Sequence, residues 1–293
     1  MLRTLLAASA ALPAMFAVSA SAQMFDIPAS EQETYIDLGL DVVSRDIYVG
    51  SDERETLVLP YVNGEYKGRF FFRPAVGAGV NLINDGTVEL AAVASYATGR
   101  DAEDTPFVFD IDDLDAGEVP GRRGDVLPVA LTDASDEAFE IDGSITVGGY
   151  GSVLLPFARL DAQLITPVTG DIDGLRSDIA LTTRVPLGPF FIAPGVRATW
   201  TSDSWTETFY GFTPDQIATL DADTLALLSD ENGLDVDDAW TLGAHLVATW
   251  EVVDDVQILG FVNYSALQGD AKDSLFSPEN DGVTAALAVS RRF

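Results

Sequence analysis

Strict alternation of apolar and polar side chains is the feature that most constrains how this chain folds. It is clearest in residues 240–250, where every second residue is apolar or aromatic and most of those between are small or polar. A period of two residues is typical of a β-strand with one apolar face. The same alternation recurs in five further segments: Tyr35–Val42, Thr87–Gly99, Phe157–Leu164, Ser177–Val185 and Phe190–Trp200. The sequence therefore predicts an all-β fold.

The length of these strands separates two ways of burying an apolar face. A soluble sandwich turns such faces inward, whereas a membrane barrel turns them outward to lipid. Trp240 and Trp250 share the apolar face ten residues apart. At about 3.3 Å per residue and a tilt near 45°, they are separated by roughly 23 Å along the membrane normal, close to the height of an outer-membrane apolar band. We expect these two residues to lie in the two aromatic girdles, with Leu246 facing lipid and Val247 facing a polar interior.

The connections between strands alternate in length. Long loops span residues near 100–138 and 203–237, and they are separated by short turns such as 187–189 and 253–255. Long outer loops and short periplasmic turns are the rule in outer-membrane barrels. The terminal Phe293 resembles the C-terminal signal that the barrel assembly machinery recognises, although Arg291 on the same face is atypical. These features predict an antiparallel transmembrane β-barrel of the outer-membrane type.

The number of strands depends on the first third of the chain. Eight strands are predicted from Thr87 onward, and three candidates precede them at Tyr35–Tyr48, Thr56–Tyr66 and Arg69–Leu82. The third divides in two if it breaks at Arg73–Pro74, because proline donates no ladder hydrogen bond. We predict twelve strands on this basis, with ten as the alternative.

The N-terminus predicts export. Residues 1–22 begin with Arg3, continue with an apolar stretch and end on Ala20-Ser21-Ala22, which is the pattern of a cleaved signal peptide. A transmembrane anchor is the alternative, and Pro13 and the polar residues that follow disfavour it. The predicted organisation is a signal peptide at 1–22, a periplasmic segment at 23–33 and the barrel at 34–293.

Composition excludes several functions. The chain has 47 acidic and 16 basic residues, a formal net charge of −31 and no cysteine. This charge repels nucleic acid, and the lack of cysteine excludes disulfides, thiol catalysis and iron–sulfur clusters. Half of the acidic residues lie in Asp101–Asp142 and Asp203–Asp238. These loops lack the spacing of a calcium site, so we interpret them as solvated surface that favours cations if the lumen conducts. No metal or cofactor is predicted.

The second acidic loop contains a possible helix. Thr213-Pro214-Asp215-Gln216 precedes four apolar residues at helical spacing, so the sequence predicts a short apolar helix that begins at Thr213. We expect this helix to fold over the mouth of the barrel.

Six polar residues have the inward parity and are predicted to line the lumen. They are Arg159, Asp161, Asp178, Arg184, Arg197 and His245. Charges that face a polar lumen are expected in such barrels, where they line a pore or form a salt-bridged plug. His245 is the single histidine and has no serine at a matching position, so no nucleophile and base can be assigned. The sequence predicts a protein that is not an enzyme.

Short motifs along most of the mature chain resemble one family. They are Gly50-Ser51-Asp52, Leu59-Pro60-Tyr61, Gly68-Arg69-Phe70-Phe71, Tyr96–Asp101, Tyr210–Gln216 and Leu267–Ser274. Their order and spacing resemble the MltA-interacting protein family, also called the MipA/OmpV family. The resemblance implies a protein of the Gram-negative outer membrane, a scaffold that links a murein-degrading enzyme to a murein-synthesising one. Because many of the residues predicted to face inward are polar, a small-solute pore remains the alternative function.

Overall fold

The computed structural model describes residues 34–100, 140–212, 236–274, 276, 277 and 279–293. The predicted signal peptide, the periplasmic segment and the helix beginning at Thr213 lie outside these residues, as does most of the first acidic loop. The strands are β1 (Tyr35–Asp46), β2 (Arg54–Tyr66), β3 (Phe70–Arg73), β4 (Gly77–Asn84), β5 (Val88–Ala97), β6 (Ser144–Leu154), β7 (Ala158–Pro167), β8 (Arg176–Thr183), β9 (Val185–Leu187), β10 (Phe190–Thr201), β11 (Ala239–Val253), β12 (Val256–Gln268) and β13 (Asp281–Arg292).

The strands form one closed antiparallel sheet in which each strand pairs with its neighbours along the chain. The ladder between β1 and β13 closes the ring, with Asp37 opposite Arg292. The short β9 continues β8, because both pair with β10 at successive positions. Counting them as one strand gives the twelve-stranded antiparallel barrel that the sequence predicts, including the break after Arg73. A closed sheet has no edge strands at its ends, which is the condition for a β-sheet to cross a bilayer.

The side chains follow the predicted alternation. On β1 the apolar residues Ile36, Leu38, Leu40 and Val42 are exposed on the outer surface, whereas Asp37 and Asp41 are buried in the lumen. On β11 Leu246 is 46% exposed and Val247 is 2% exposed. The outer surface of the barrel therefore presents an apolar band to lipid.

The lumen beside Val247 is apolar, which corrects the expectation of a polar interior at this residue. Val247 packs with Val43, Leu59, Phe261 and Ala286, which come from four other strands. A narrow barrel fills its interior with side chains from all sides, and here the inward residues of these strands are apolar. Alternation identifies which side chains point inward, but it does not specify which of them meet there.

The β3–β4 hairpin departs from the regular wall. β3 has four residues, and its ladder with β2 is limited to Gly64–Tyr66. The connecting turn Pro74–Val76 is buried, and the amide of Gln163 on β7 donates a hydrogen bond of 3.2 Å to the carbonyl of Val76. The tip of this hairpin therefore folds into the lumen and does not continue up the wall.

A helix follows β10 at the outer end of the barrel. This helix, α1 (Asp203–Tyr210), begins after Ser202 and ends before Gly211. Its Trp205 packs with Ile172 and the hairpin residues Ala75 and Val76, so the helix covers part of the lumen. Among the described residues, no helix has the length and hydropathy needed to cross a bilayer.

Candidate functional site

Two of the residues predicted to line the lumen, Arg159 and Asp161, belong to a buried ion-pair network at the periplasmic end. We call it the periplasmic cluster, and its members are Glu65, Arg73, Glu89, Tyr150, Arg159 and Asp161. Arg159 Nε donates to Asp161 Oδ1 at 2.8 Å, and the Tyr150 hydroxyl donates to the same oxygen at 2.6 Å. All six residues are less than a tenth exposed.

Arg73 is the residue that joins the two sides of this cluster. Its guanidinium donates to Glu89 at 3.0 Å and to Glu65 at 3.2 Å, and it lies 4.2 Å from the centre of the Phe71 ring. Removing one member of a buried ion pair strands the charge of its partner, which costs about 3–5 kcal/mol. The cluster therefore holds the walls and the inward hairpin in one arrangement.

Sequence reasoning missed four members of this cluster. Glu65 and Glu89 have the inward parity of β2 and β5, so the alternation that identified Arg159 was sufficient to place them in the lumen. Arg73 was read only as the start of a strand break. Its inward position depends on the turn that follows it, and no local pattern specifies the direction of that turn.

Asp178 and Arg197 lie in a second network, closer to the outer end of the barrel. We call it the outer cluster, and it comprises Arg176, Asp178, Arg197 and Thr199. Asp178 Oδ1 accepts hydrogen bonds from Arg197 Nε at 3.0 Å and from Thr199 Oγ1 at 2.6 Å, and Oδ2 accepts one from Arg176 Nε at 3.1 Å. One carboxylate thus faces two guanidinium groups, which leaves a net positive charge.

His245 and Arg184 occupy different places in the lumen. His245 is buried, with Nε2 3.0 Å from Thr182 Oγ1. Gly195 on the neighbouring strand makes room for this ring, because a Cβ atom there would lie 2.1 Å from Nε2. Arg184 lies at the periplasmic end, where it is exposed and its guanidinium stacks 4.0 Å from the Phe191 ring centre. Among the described residues, no group of carboxylates and histidine has the arrangement of a metal site.

The aromatic residues predicted for the girdles lie on the outer surface. Trp240 is 46% exposed and Trp250 is 40% exposed. Trp250 stacks on Phe190 of β10, with 5.4 Å between the ring centres. Trp240 stands opposite Trp200 in the β10–β11 ladder. The terminal Phe293 is exposed, and Arg291 lies 5.3 Å from its ring.

A cavity of about 250 Å³ occupies the outer half of the lumen. Its floor includes Pro74 and Ala75 of the inward hairpin, and α1 contributes Trp205, Phe209 and Tyr210. The outer cluster forms one side of it. Its charged lining consists of three arginines and two aspartates, which are Arg45, Asp46, Arg176, Asp178 and Arg197. The outer cluster gives this side of the cavity two guanidinium groups for one carboxylate, in a chain with a formal net charge of −31.

Two tyrosines close the cavity at its outer end. The rings of Tyr48 and Tyr210 meet edge to face at 6.1 Å, and their hydroxyls donate to the carbonyls of Phe276 and Val49 at 2.7 and 2.8 Å. Burial raises the pKa of Tyr48 to about 12, and burial also raises the pKa of Tyr210. Both hydroxyls therefore remain neutral and hydrogen-bonded at physiological pH.

A closed antiparallel sheet with an apolar outer surface and buried charges inside is the architecture of an outer-membrane β-barrel, and this protein lies in the outer membrane. The translocator domain of the autotransporter NalP from Neisseria meningitidis is a structurally similar chain, with a TM-score of 0.43 at 11% sequence identity and 91% of each chain covered.

Within this class, the chain belongs to the family described as MltA-interacting protein MipA, whose model matches residues 38–293. The MltA-interacting proteins of Escherichia coli strain K12 and Shigella flexneri are each 24% identical to it over 216 residues. The matched region covers 74% of this chain and 73% of each relative. The family resemblance seen in the sequence motifs is thereby confirmed.

Proposed function

We propose that this protein is a non-enzymatic scaffold that holds murein-degrading and murein-synthesising enzymes at the periplasmic face of the outer membrane. The observation that carries the proposal is the periplasmic cluster, which places fixed ion pairs across the periplasmic half of the lumen. A lumen filled in this way leaves the rim of the barrel as the surface that a periplasmic partner reaches. The name of the relatives, MltA-interacting protein, supports the same reading.

The periplasmic rim carries a basic and aromatic surface suited to this role. Along β13, β1, β2 and the β2–β3 turn, four basic side chains each lie against an aromatic ring at 4.4–6.0 Å. This rim arc consists of the pairs Lys67–Tyr66, Arg69–Phe70, Arg291–Phe293 and Arg292–Tyr35. Arginine and tyrosine are enriched among residues that dominate the affinity of protein interfaces. We assign the contact with the murein enzymes to this arc.

Affinity capture tests the scaffold directly. Purified barrel in detergent is immobilised and presented with a purified lytic murein transglycosylase and a purified murein synthase. We expect both enzymes to be retained, and we expect Lys67→Glu combined with Arg69→Glu to lower retention. Pro156→Glu combined with Phe157→Glu introduces acidic groups in the exposed β6–β7 turn and serves as the matched control. Retention no higher than that of an unrelated barrel would refute the scaffold.

A small-solute pore is the second candidate, and the cavity in the outer half of the lumen favours it. Passage to the periplasm requires the periplasmic cluster to open. Single-channel conductance after reconstitution separates the two candidates, because a scaffold alone gives none. If the acidic residues of 101–142 and 203–238 lie at the outer mouth, they concentrate cations within one Debye length, about 10 Å at 0.1 M salt, and a conducting barrel is then expected to prefer cations.

A further inference from the structure

The wall of the barrel has a notch above the short β3–β4 hairpin. One side of this notch is formed by residues 54–62 of β2. The other side is formed by residues 96–98, at and just after the end of β5, and the inward hairpin lies at the base. In the described part of the chain, no strand pairs with β2 over residues 54–62 on the side away from β1. At the base, β2 and β5 are separated by three strand spacings, or about 14 Å.

Along this notch, the even-numbered residues of β2 have no strand partner on the side away from β1 among the residues that the structure describes. Ile47 N donates to Glu53 O at 3.3 Å in continuation of the β1–β2 ladder, and hydrogen-bonded pairs alternate along an antiparallel ladder. Odd-numbered residues of β2 therefore bond to β1, and even-numbered residues direct their N–H and C=O groups into the notch. Pro60 is one of them, and a proline in mid-strand is tolerated where its nitrogen faces no partner strand.

The notch lies at the depth of the membrane. Val58 stands opposite Val42, and Pro60 stands opposite Leu40, in the β1–β2 ladder. Val42 and Leu40 are exposed residues of the lipid-facing band. Unpaired backbone groups do not persist against hydrocarbon, but they are tolerated where they line a polar cavity. The notch is therefore expected to open inward to the cavity described above.

The residues that line the cavity support a connection between the cavity and the notch. The base of the notch contributes Pro74 and Ala75, and the β5 side contributes residues 95–99. Tyr96 has the outward parity of β5, together with Leu90 and Ala92, yet it lines the cavity. The cavity thus reaches the wall of the barrel at the base and the β5 side of the notch.

The cavity also contains an unsatisfied polar atom. Asn263 is 6% exposed and lines the cavity, and its Oδ1 has no hydrogen-bond partner, whereas its Nδ2 donates to Ser265 Oγ at 2.6 Å. Buried polar atoms are normally paired, so this acceptor beside the cavity is a candidate partner for a hydrogen-bond donor of a ligand. The outer cluster adds positive charge, while Trp205 and Ile165 supply apolar surface.

We propose that this cavity binds a small amphiphile with an anionic, hydrogen-bonding head, and that the amphiphile enters sideways from the membrane through the notch. The head lies against Arg197, Arg176 and Asn263, where the two guanidinium groups favour an anionic group and the amide oxygen accepts a hydrogen bond from a hydroxyl beside that group. The apolar body lies against Trp205. This site is independent of the rim arc, so either proposal can fail without the other.

Fluorescence quenching in lipid vesicles tests the binding site. Phenylalanine replaces Trp200, Trp240 and Trp250, which leaves Trp205 as the reporter in the cavity. The probe is 12-bromo-2-hydroxydodecanoate, whose carboxylate faces the arginines, whose hydroxyl can donate to Asn263 Oδ1 and whose bromine quenches a nearby indole. We expect saturable quenching, and we expect the bromododecyl trimethylammonium cation to give none. Non-saturable quenching, or equal quenching by the cation, would overturn the site.

Two asparagines provide a matched pair of variants. Asn263→Leu removes this acceptor beside the cavity, and we expect the probe to bind about tenfold more weakly, as the loss of one hydrogen bond from its hydroxyl predicts. Asn81→Leu is the control, because Asn81 is also buried with an unpaired Oδ1 but lies outside the cavity lining. Asn263→Ala is a second variant should the leucine variant not fold. Equal weakening by Asn81→Leu would contradict the assignment.

The lateral route has its own test. The chain has no cysteine, so Val58→Cys places a single label beside the notch and Val42→Cys places one at the facing residue on β1. Both are modified with a bulky apolar maleimide, and the probe is supplied from the bilayer. We expect several-fold slower quenching for the label at 58 and no change for the label at 42. Equal rates would show that the probe does not enter through the notch.

Discussion

The wall formed by β10, β11 and β12 and the wall formed by β2 through β5 arise from similar alternation but have different structures. In the first, β11 pairs over twelve positions with β10 and over nearly its whole length with β12, and Trp240 and Trp250 stand near its two ends. In the second, Pro74 and the turn around it end the hairpin after four residues of β3. Where the ladder is continuous the wall is closed to lipid, and where it stops the proposed lateral route enters the interior.

The largest effect is expected at the ion pairs that support the interrupted wall. Arg73→Met leaves Glu65 and Glu89 buried without their guanidinium partner, which is expected to cost about 3–5 kcal/mol of the free energy of unfolding. Arg54→Met is the control, because its pair with Asp46 is half exposed and is worth about 0–1 kcal/mol. Urea unfolding in detergent micelles, followed by tryptophan fluorescence, measures both. Equal losses would show that the periplasmic cluster does not support the wall.

Arginine on the outer surface compares the two walls directly. Leu246→Arg lies on the continuous wall, and an arginine near the bilayer midplane costs roughly 2–4 kcal/mol. Val58→Arg lies beside the notch, where the guanidinium can reach the polar cavity, so we expect a smaller loss. The yield of folded barrel in the outer membrane measures both. A larger loss for Val58→Arg would indicate that the notch is closed.

Packing inside the continuous wall gives a third comparison. In Gly195→Ala the new Cβ atom meets His245 Nε2 at 2.1 Å and Leu181 O at 2.7 Å, so overpacking is expected to cost about 1–3 kcal/mol. Gly149→Ala is the control, because its nearest atom lies at 4.0 Å. If His245 is the obstacle, adding His245→Ala will restore part of the lost stability. No restoration would place the strain at the Leu181 carbonyl.

The smallest effect concerns the outer end of the cavity. The pKa of Tyr48 is raised from about 10 to about 12, so the neutral hydroxyl is favoured in the folded state. Its contribution to stability is present in full below pH 10 and is lost as the pH rises toward 12. Tyrosinate absorbance and the fluorescence of Trp205 are expected to change together over this range. Tyr48→Phe should remove the contribution of Tyr48, and titration of Tyr48 near pH 10 would contradict its burial.

Alternation was sufficient to predict the fold and not sufficient to predict the cavity. The prediction of twelve strands rests on the two-residue period and on the strand break at Arg73–Pro74. Both are local features, because each depends only on residues close together in the sequence. The inward path of the hairpin depends on contacts such as Gln163 with Val76, which are far apart in sequence. The helix α1 was missed for a similar reason, since Trp205 gains its stability from packing on the lumen and its eight residues show no long apolar pattern.

The closure between the first and last strands has a consequence for the order of folding. Asp37 is completely buried, and its carboxylate accepts hydrogen bonds from Arg292 at 2.8 and 2.9 Å. These two residues are 255 positions apart, so the carboxylate has no guanidinium from β13 until β13 pairs with β1. Contacts of such long range form late, because the entropic cost of closing the loop is incurred before the contact contributes any stabilisation. Pairing of the last dozen residues with β1 is therefore expected to be a late step of folding. A chain truncated before β13 is expected to remain an open sheet, in which Asp37 on the first strand lacks its guanidinium partner.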